Sequence, residues 1–92
     1  MTYNTRFSAT ARRELRAIAL PIARRLLAKL TELESDPFGF GTTALVDNPS
    51  VRRLRVGDWR VMYRIEQEEL VVMVIRVRHR SVAYDQMTNG SS

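Results

Sequence analysis

The feature that most limits what this chain can become lies between Val51 and Val77. Apolar residues and arginines alternate there over Arg53–Val56 and Trp59–Ile65, an apolar run follows from Leu70, and turn residues interrupt at Gly57-Asp58 and at Glu66–Glu69. Such alternation puts successive side chains on opposite faces of a strand, and breaks this short join neighbouring antiparallel strands. Val51–Val56, Trp59–Ile65 and Leu70–Val77 are therefore predicted to form a three-stranded meander. Leu54 and Val56 share one face of the first strand, Arg53 and Arg55 the other. In the second, Trp59, Val61, Tyr63 and Ile65 alternate with Arg60, Met62 and Arg64. The third is continuous and β-branched, the pattern of a strand covered on both sides.

A sheet with one apolar face needs a cover, and the preceding residues supply it. Tyr3, Thr5 and Phe7 alternate with Asn4 and Arg6 as a short strand. Ser8 offers a cap to a helix over Ala9–Ala19, and Leu20-Pro21 interrupts it. Ile22, Leu26, Leu30 and Leu33 then form one stripe of a second helix, which Ser35-Asp36-Pro37 ends. Residues 38–50, with Gly39, Gly41, Asn48 and Pro49, read as a loop. The expected architecture is α+β: an N-terminal strand, a helical hairpin and the antiparallel meander. The helices pack on one face of a four-stranded sheet whose first strand lies beside its last. At 92 residues the chain is too short for two cores, so residues 1–92 form a single domain. The polar end from about residue 86 to 92 reads as a disordered tail.

Several kinds of chemistry fall away. Cysteine is absent, which removes disulfides, thiolate metal sites and cysteine nucleophiles. There is one histidine, and the acids near the arginines (Asp58, Glu66, Glu68, Glu69) sit at turns, so no metal-ligand set is expected. No glycine-rich phosphate loop or nucleophile elbow occurs, and no cofactor is expected. The densest apolar run, Leu70–Ile75, is too short to span a bilayer, and the N-terminus lacks the apolar core of a signal peptide. The expectation is a cytoplasmic protein.

Charge then carries the argument. The net charge is +5, and the cations are fourteen arginines with one lysine, Lys29. Guanidinium presents a planar fork of donors that matches phosphate oxygens. Arg53 and Arg55 share a strand face, as do Arg60 and Arg64 on the next, so arginines of neighbouring strands converge on the side away from the helices. An exposed sheet face must be polar in any case, and arginine snorkels well there. The C-terminal element adds a sharper signal: Arg78-His79-Arg80 ends the last strand, and Tyr84 follows Arg80 at one helical turn. A cation beside a ring suits RNA, with a phosphate clamped and a base stacked. RNA cleavage suits a site without metal ligands, because the 2′-hydroxyl is itself the nucleophile. Arginines would stabilise the charge that builds on phosphorus-bound oxygens.

The run VRRLRVGDWRVMY over residues 51–63, followed by a β-branched strand and RHRSVAY, resembles the RelE/ParE toxin superfamily, more on its RelE side. The resemblance spans nearly the whole chain, taking in the opening YNTRF strand, the ARREL helix, the Leu-Pro break and the SDP that closes the hairpin. It implies a type II toxin–antitoxin toxin that enters the ribosomal decoding site and cuts messenger RNA there. A cognate antitoxin would wrap and neutralise it, the toxin being monomeric when free and hetero-oligomeric when bound. By the resemblance, Arg60 holds the scissile phosphate, Arg80 stands near the leaving 5′-oxygen and Tyr84 stacks on a base. Arg53 matches one of two basic positions that activate the 2′-hydroxyl. The other falls on Val51, next to Arg52. Arginine stays protonated and makes a poor base, so either Arg53 acts electrostatically or His79 moves the proton. Arg52, Arg55, Arg64 and Arg78 complete the expected RNA-binding set. A ParE-like toxin that poisons DNA gyrase without cutting RNA is the alternative, and it would share the fold.

Overall fold

The computed structural model describes residues 2–39, 41–44 and 50–81. Its elements run β1 (Asn4–Phe7), α1 (Ala9–Arg16), α2 (Leu20–Leu33), β2 (Thr42–Ala44), β3 (Val51–Val56), β4 (Trp59–Glu66) and β5 (Val71–His79). The expected α+β class, the helical hairpin and the meander β3-β4-β5 are all present. The strand order is β1-β5-β4-β3-β2, with β1 parallel to β5 and the other neighbours antiparallel. The first strand thus lies beside the last, as the sequence implied.

The sheet has five strands, not four. Thr42–Ala44, read above as loop, pairs with β3 through Thr42↔Leu54 and Ala44↔Arg52. Three residues are too few to show a period, and an edge strand has a partner on one side only. Gly41 enters it at φ +87, a conformation that costs glycine nothing. The first helix also stops short of Ala19. Its C-cap is Ala17, and Ala19 is extended ahead of α2. Pro21 sits inside the first turn of α2, where its missing N–H has no intrahelical acceptor to lose.

The continuous apolar pattern of β5 predicts cover on both faces, and the structure meets this only in part. Val71 and Val72 are both buried, but Arg76 and Arg78 leave the second face partly open. A bulge between Met62 and Tyr63 sets Met62 against Arg76 and Tyr63 against Val74, leaving Ile75 unmatched. Leu70 belongs to the turn, at φ 53.

The core joins Ala11 of α1 and Leu26, Leu30 and Leu33 of α2 to Leu54, Val56, Val61, Tyr63, Ile65, Val72, Val74 and Val77. Full burial of a leucine or valine contributes about 1.5–3 kcal/mol, so the apolar half of each alternation holds the helices down. Tyr63 is fully buried, and its hydroxyl donates to Pro37 O at 2.6 Å.

Two glutamates cover the backbone edges that β1 leaves. Glu34 Oε2 accepts from Thr5 N at 3.2 Å. Past the end of β1, Glu14 Oε1 accepts from Val77 N at 2.7 Å. α1 is therefore drawn to the rim of the sheet, and Ser8 fixes it there. The Ser8 hydroxyl accepts from Ala11 N at 3.0 Å and donates to Ile75 O at 2.8 Å. Among the described residues no helix is long and apolar enough to cross a membrane.

Candidate nucleic-acid interface

The alternation that buries Leu54, Val56, Val61 and Val77 turns the intervening residues to the opposite face. Register brings those residues into rows. Arg55 lies opposite Arg60, and Arg60 opposite Arg78, so one row across three strands is arginine throughout. The next row is Arg53, Met62 and Arg76. Like charges directly opposite on a sheet are destabilising, so folding alone does not favour Arg55 against Arg60, while the charge of Arg78 is offset by Glu14, whose Oε2 lies 3.4 Å from its Nε.

The electrostatics follow from this placement. The Arg60 guanidinium is held below its ordinary pKa, first by partial burial and then by the charges of Arg55, Arg53 and Arg80, with Asp58 opposing them. Three guanidiniums, two from β3 and one from just past β5, therefore act on Arg60. Arg60 Nη1 donates back to Trp59 O at 3.1 Å and Gly57 O at 3.3 Å, which ties it to the β3–β4 turn. That turn also anchors the end of β5. Arg80 N donates to Asp58 O at 2.6 Å, and Arg80 Nε lies 3.9 Å from Asp58 Oδ1. Both side chains of this ion pair are mostly exposed, so the backbone bond does more than the pair to hold Arg80 in place.

Arg53, Arg55, Arg60, Arg78 and Arg80 are thus gathered as the sequence implied. Other expected site residues are not. Arg52 is on the covered side, opposite Tyr63, with its Nη2 donating to Thr42 Oγ1 at 2.9 Å and its guanidinium 5.3 Å from the Phe38 ring centroid. It ties β3 to β2 and the segment after α2. Parity explains the correction: Arg52 and Arg53 are consecutive and must point opposite ways. Arg64 shares the face but lies at its far end, opposite Met73, and pairs with Glu66 at 3.1 Å.

His79 is turned away as well. It is the register partner of Trp59 on the helix side, one residue out of phase with Arg78. With Trp59, Val56, Asp58, Ile22 and Arg25 it lines a cavity of about 260 Å³. The structure therefore does not bring His79 to the arginine rows. Tyr84 and the expected tail lie outside the described residues.

Sequence reasoning missed Arg76 and Glu14. Counting back by two from Arg78 finds the first. Nothing local marks the second, whose contacts to β5 span 62 and 63 residues. Among the described residues no group of three or more His, Cys, Asp or Glu is placed to hold a metal. What the rows can do chemically is bind phosphate oxygens and stabilise negative charge growing on them.

Comparison with known proteins agrees with this description. The profile of the family described as ParE toxin of type II toxin-antitoxin system, parDE, matches residues 5–84. The chain belongs to the RelE/ParE superfamily of type II toxin–antitoxin toxins. Within it, the chain resembles RelE toxins: it is 33% identical over 89 residues to Toxin RelG of Mycobacterium tuberculosis, covering 91% of this chain and 98% of that one. A RelBE toxin–antitoxin complex from M. tuberculosis superposes with a TM-score of 0.74 at 29% identity, over 87% of this chain and 100% of that chain. The intact Escherichia coli RelBE complex gives 0.76 at 25% identity, over 84% and 95%.

Proposed function

We propose that this toxin is a ribosome-dependent endoribonuclease that cuts messenger RNA in the decoding site and so stops translation. The observation that carries the reading is the arginine row Arg55–Arg60–Arg78, with Arg53 and Arg80 beside it. A fold that places like charges opposite one another across a sheet gains from a polyanion that neutralises them. Arg60, at the centre, would hold the scissile phosphate. The 2′-hydroxyl attacks phosphorus and gives its proton to water, the bond to the 5′-oxygen breaks and that oxygen takes a proton from water, leaving a 2′,3′-cyclic phosphate and a 5′-hydroxyl end. Arg53 and Arg55 stabilise the charge gathering on the non-bridging oxygens, and Arg80 faces the leaving oxygen. With His79 turned to the helix side, the reading rests on orientation and charge, and Arg53 acts as an electrostatic group. Tyr84 is proposed as the base-stacking ring that keeps the substrate strand in register.

The likeness to toxins solved with RelB supports a cognate antitoxin as the protein partner, which would cover this face and silence it. Ribosome binding should fall steeply with salt, as phosphate contacts by arginine do. The match to a ParE description supports a second reading, in which the toxin poisons DNA gyrase and cuts no RNA.

One experiment separates the two. The toxin is added to a translation extract and the ends of a reporter messenger RNA are mapped. Cuts inside codons at the decoding site, with little cleavage of naked RNA, are expected. Intact message together with gyrase trapped on cleaved DNA would transfer the assignment to the second reading.

A further inference from the structure

One carboxylate on α1 meets two arginines of the open face. Glu14 Oε2 accepts from Arg76 Nε at 3.2 Å and lies 3.4 Å from Arg78 Nε. Glu14 Oε1 meanwhile accepts the Val77 amide, so the carboxylate is fixed by the backbone between its two cations. The Glu14 and Arg78 side chains are only 18% and 19% exposed, against 62% for Arg80, so this contact is far better shielded than the Arg80–Asp58 pair. Arg78 is also the register partner of Arg60. A phosphate settling on the row must therefore compete with Glu14 for Arg78 and, one row on, for Arg76. Carboxylate and phosphate oxygens are the same kind of acceptor to a guanidinium fork.

We propose that Glu14 is a specificity-determining residue, an internal stand-in for phosphate that keeps Arg76 and Arg78 from gripping any passing RNA. The grip then falls to Arg60 and its neighbours Arg53, Arg55 and Arg80, and stray polyanions are held weakly. This rests on the RNA-cleaving reading above. A face with all its arginines committed to phosphate would bind RNA of any sequence and shape through counterion release. By occupying two of them, Glu14 lowers that background and leaves productive binding to depend on contacts a folded target supplies.

The test uses the full chain and an unstructured twelve-nucleotide oligouridylate, with binding measured across a salt series. Glu14→Gln keeps the side-chain size and an oxygen for the Val77 amide but removes the charge. Its affinity at low salt should rise roughly tenfold, and its plot of log affinity against log salt should steepen by about 1, as expected for one to two more phosphate contacts on a single strand. Glu32→Gln removes the same charge from the exposed Lys29–Glu32 pair on α2 and should leave the slope as it was. Equal behaviour of the two variants would overturn the proposal. Should Glu14→Gln melt early, Glu14→Ala, which favours the helix, is read in the same way. Arg60→Ala in the same assay separates the two levels. Wild-type binding that ignores Arg60 sinks the RNA-face reading itself. Binding that needs Arg60 but not the charge of Glu14 sinks only the role given to Glu14.

Discussion

Trp59 and His79 are register partners on β4 and β5, and their rings meet edge to face, with centroids 5.3 Å apart and planes at 87°. This contact fixes His79 on the helix side of the sheet, while Arg78, one residue earlier, looks the other way. The imidazole Nδ1 is further engaged with Ser81 Oγ at 3.0 Å. The one histidine, the residue whose ordinary pKa best suits proton transfer, is thus not among the clustered cations.

His79→Ala is therefore expected to leave messenger RNA cleavage close to wild type. The pH–rate profile should be the same in the variant as in the wild type. Losing a general acid or base costs about 100-fold or more. A drop of that size, measured as the rate of cut-end appearance in the extract, would return His79 to the site.

Tyr63 gives a stability prediction with a defined sign. Burial raises its pKa above the ordinary value, opposed by hydrogen bonding to Thr42 and Arg52 and by the Arg52 charge. A phenol with a raised folded pKa keeps its proton longer folded than unfolded. Its contribution is therefore complete below about pH 10, the unfolded value, and is lost as pH climbs through the folded value. Urea unfolding midpoints should fall steeply above about pH 10 in the wild type and less steeply in Tyr63→Phe. At neutral pH the same variant should cost about 1–2 kcal/mol, because Pro37 O loses its buried donor.

Ser8 joins local and long-range structure through one hydroxyl. As N-cap it accepts from Ala11 N, and as donor it reaches Ile75 O at the unmatched position of the β5 bulge. Ser8→Ala should cost about 1–2 kcal/mol, towards the upper end for a cap. Ser8→Asp keeps the cap acceptor but has no proton for Ile75 O, so it should recover only part of the loss. Full recovery in a denaturant titration would show that the bond to β5 contributes nothing.

How much of this was legible depends on range. The three main strands, their facing and the α2 stripe were readable because period two and period 3.6 are local and burial enforces them. Arg53, Arg55 and Arg60 could be assigned a common face by parity alone. The same parity places Arg52, adjacent to Arg53, and His79, adjacent to Arg78, on the opposite face. Residue type alone, a cation or an imidazole near the motif, does not specify direction. β2 was hidden because a three-residue edge strand is specified by its partner and not by its own pattern. Glu14 was invisible for a related reason: its role exists only once a parallel crossover has laid α1 along the β5 edge.

Arg60 is where stability and activity should part company. Its charge is disfavoured first by partial burial and then by Arg55, Arg53 and Arg80, with Asp58 opposing them, and its own hydrogen bonds go to the carbonyls of Gly57 and Trp59 at a half-exposed turn. Removing it relieves repulsion and forfeits little packing, so Arg60→Ala should melt within about 0.5 kcal/mol of wild type, or slightly above it. The same variant should abolish cleavage, since nothing else occupies the centre of the row. Arg60→Lys keeps the charge but offers no planar fork, and it should fail to restore full cleavage. Thermal denaturation alongside end-mapping checks both halves. A destabilisation of about 2 kcal/mol or more would mark Arg60 as a structural residue, and the arginine row would lose its claim to be a site.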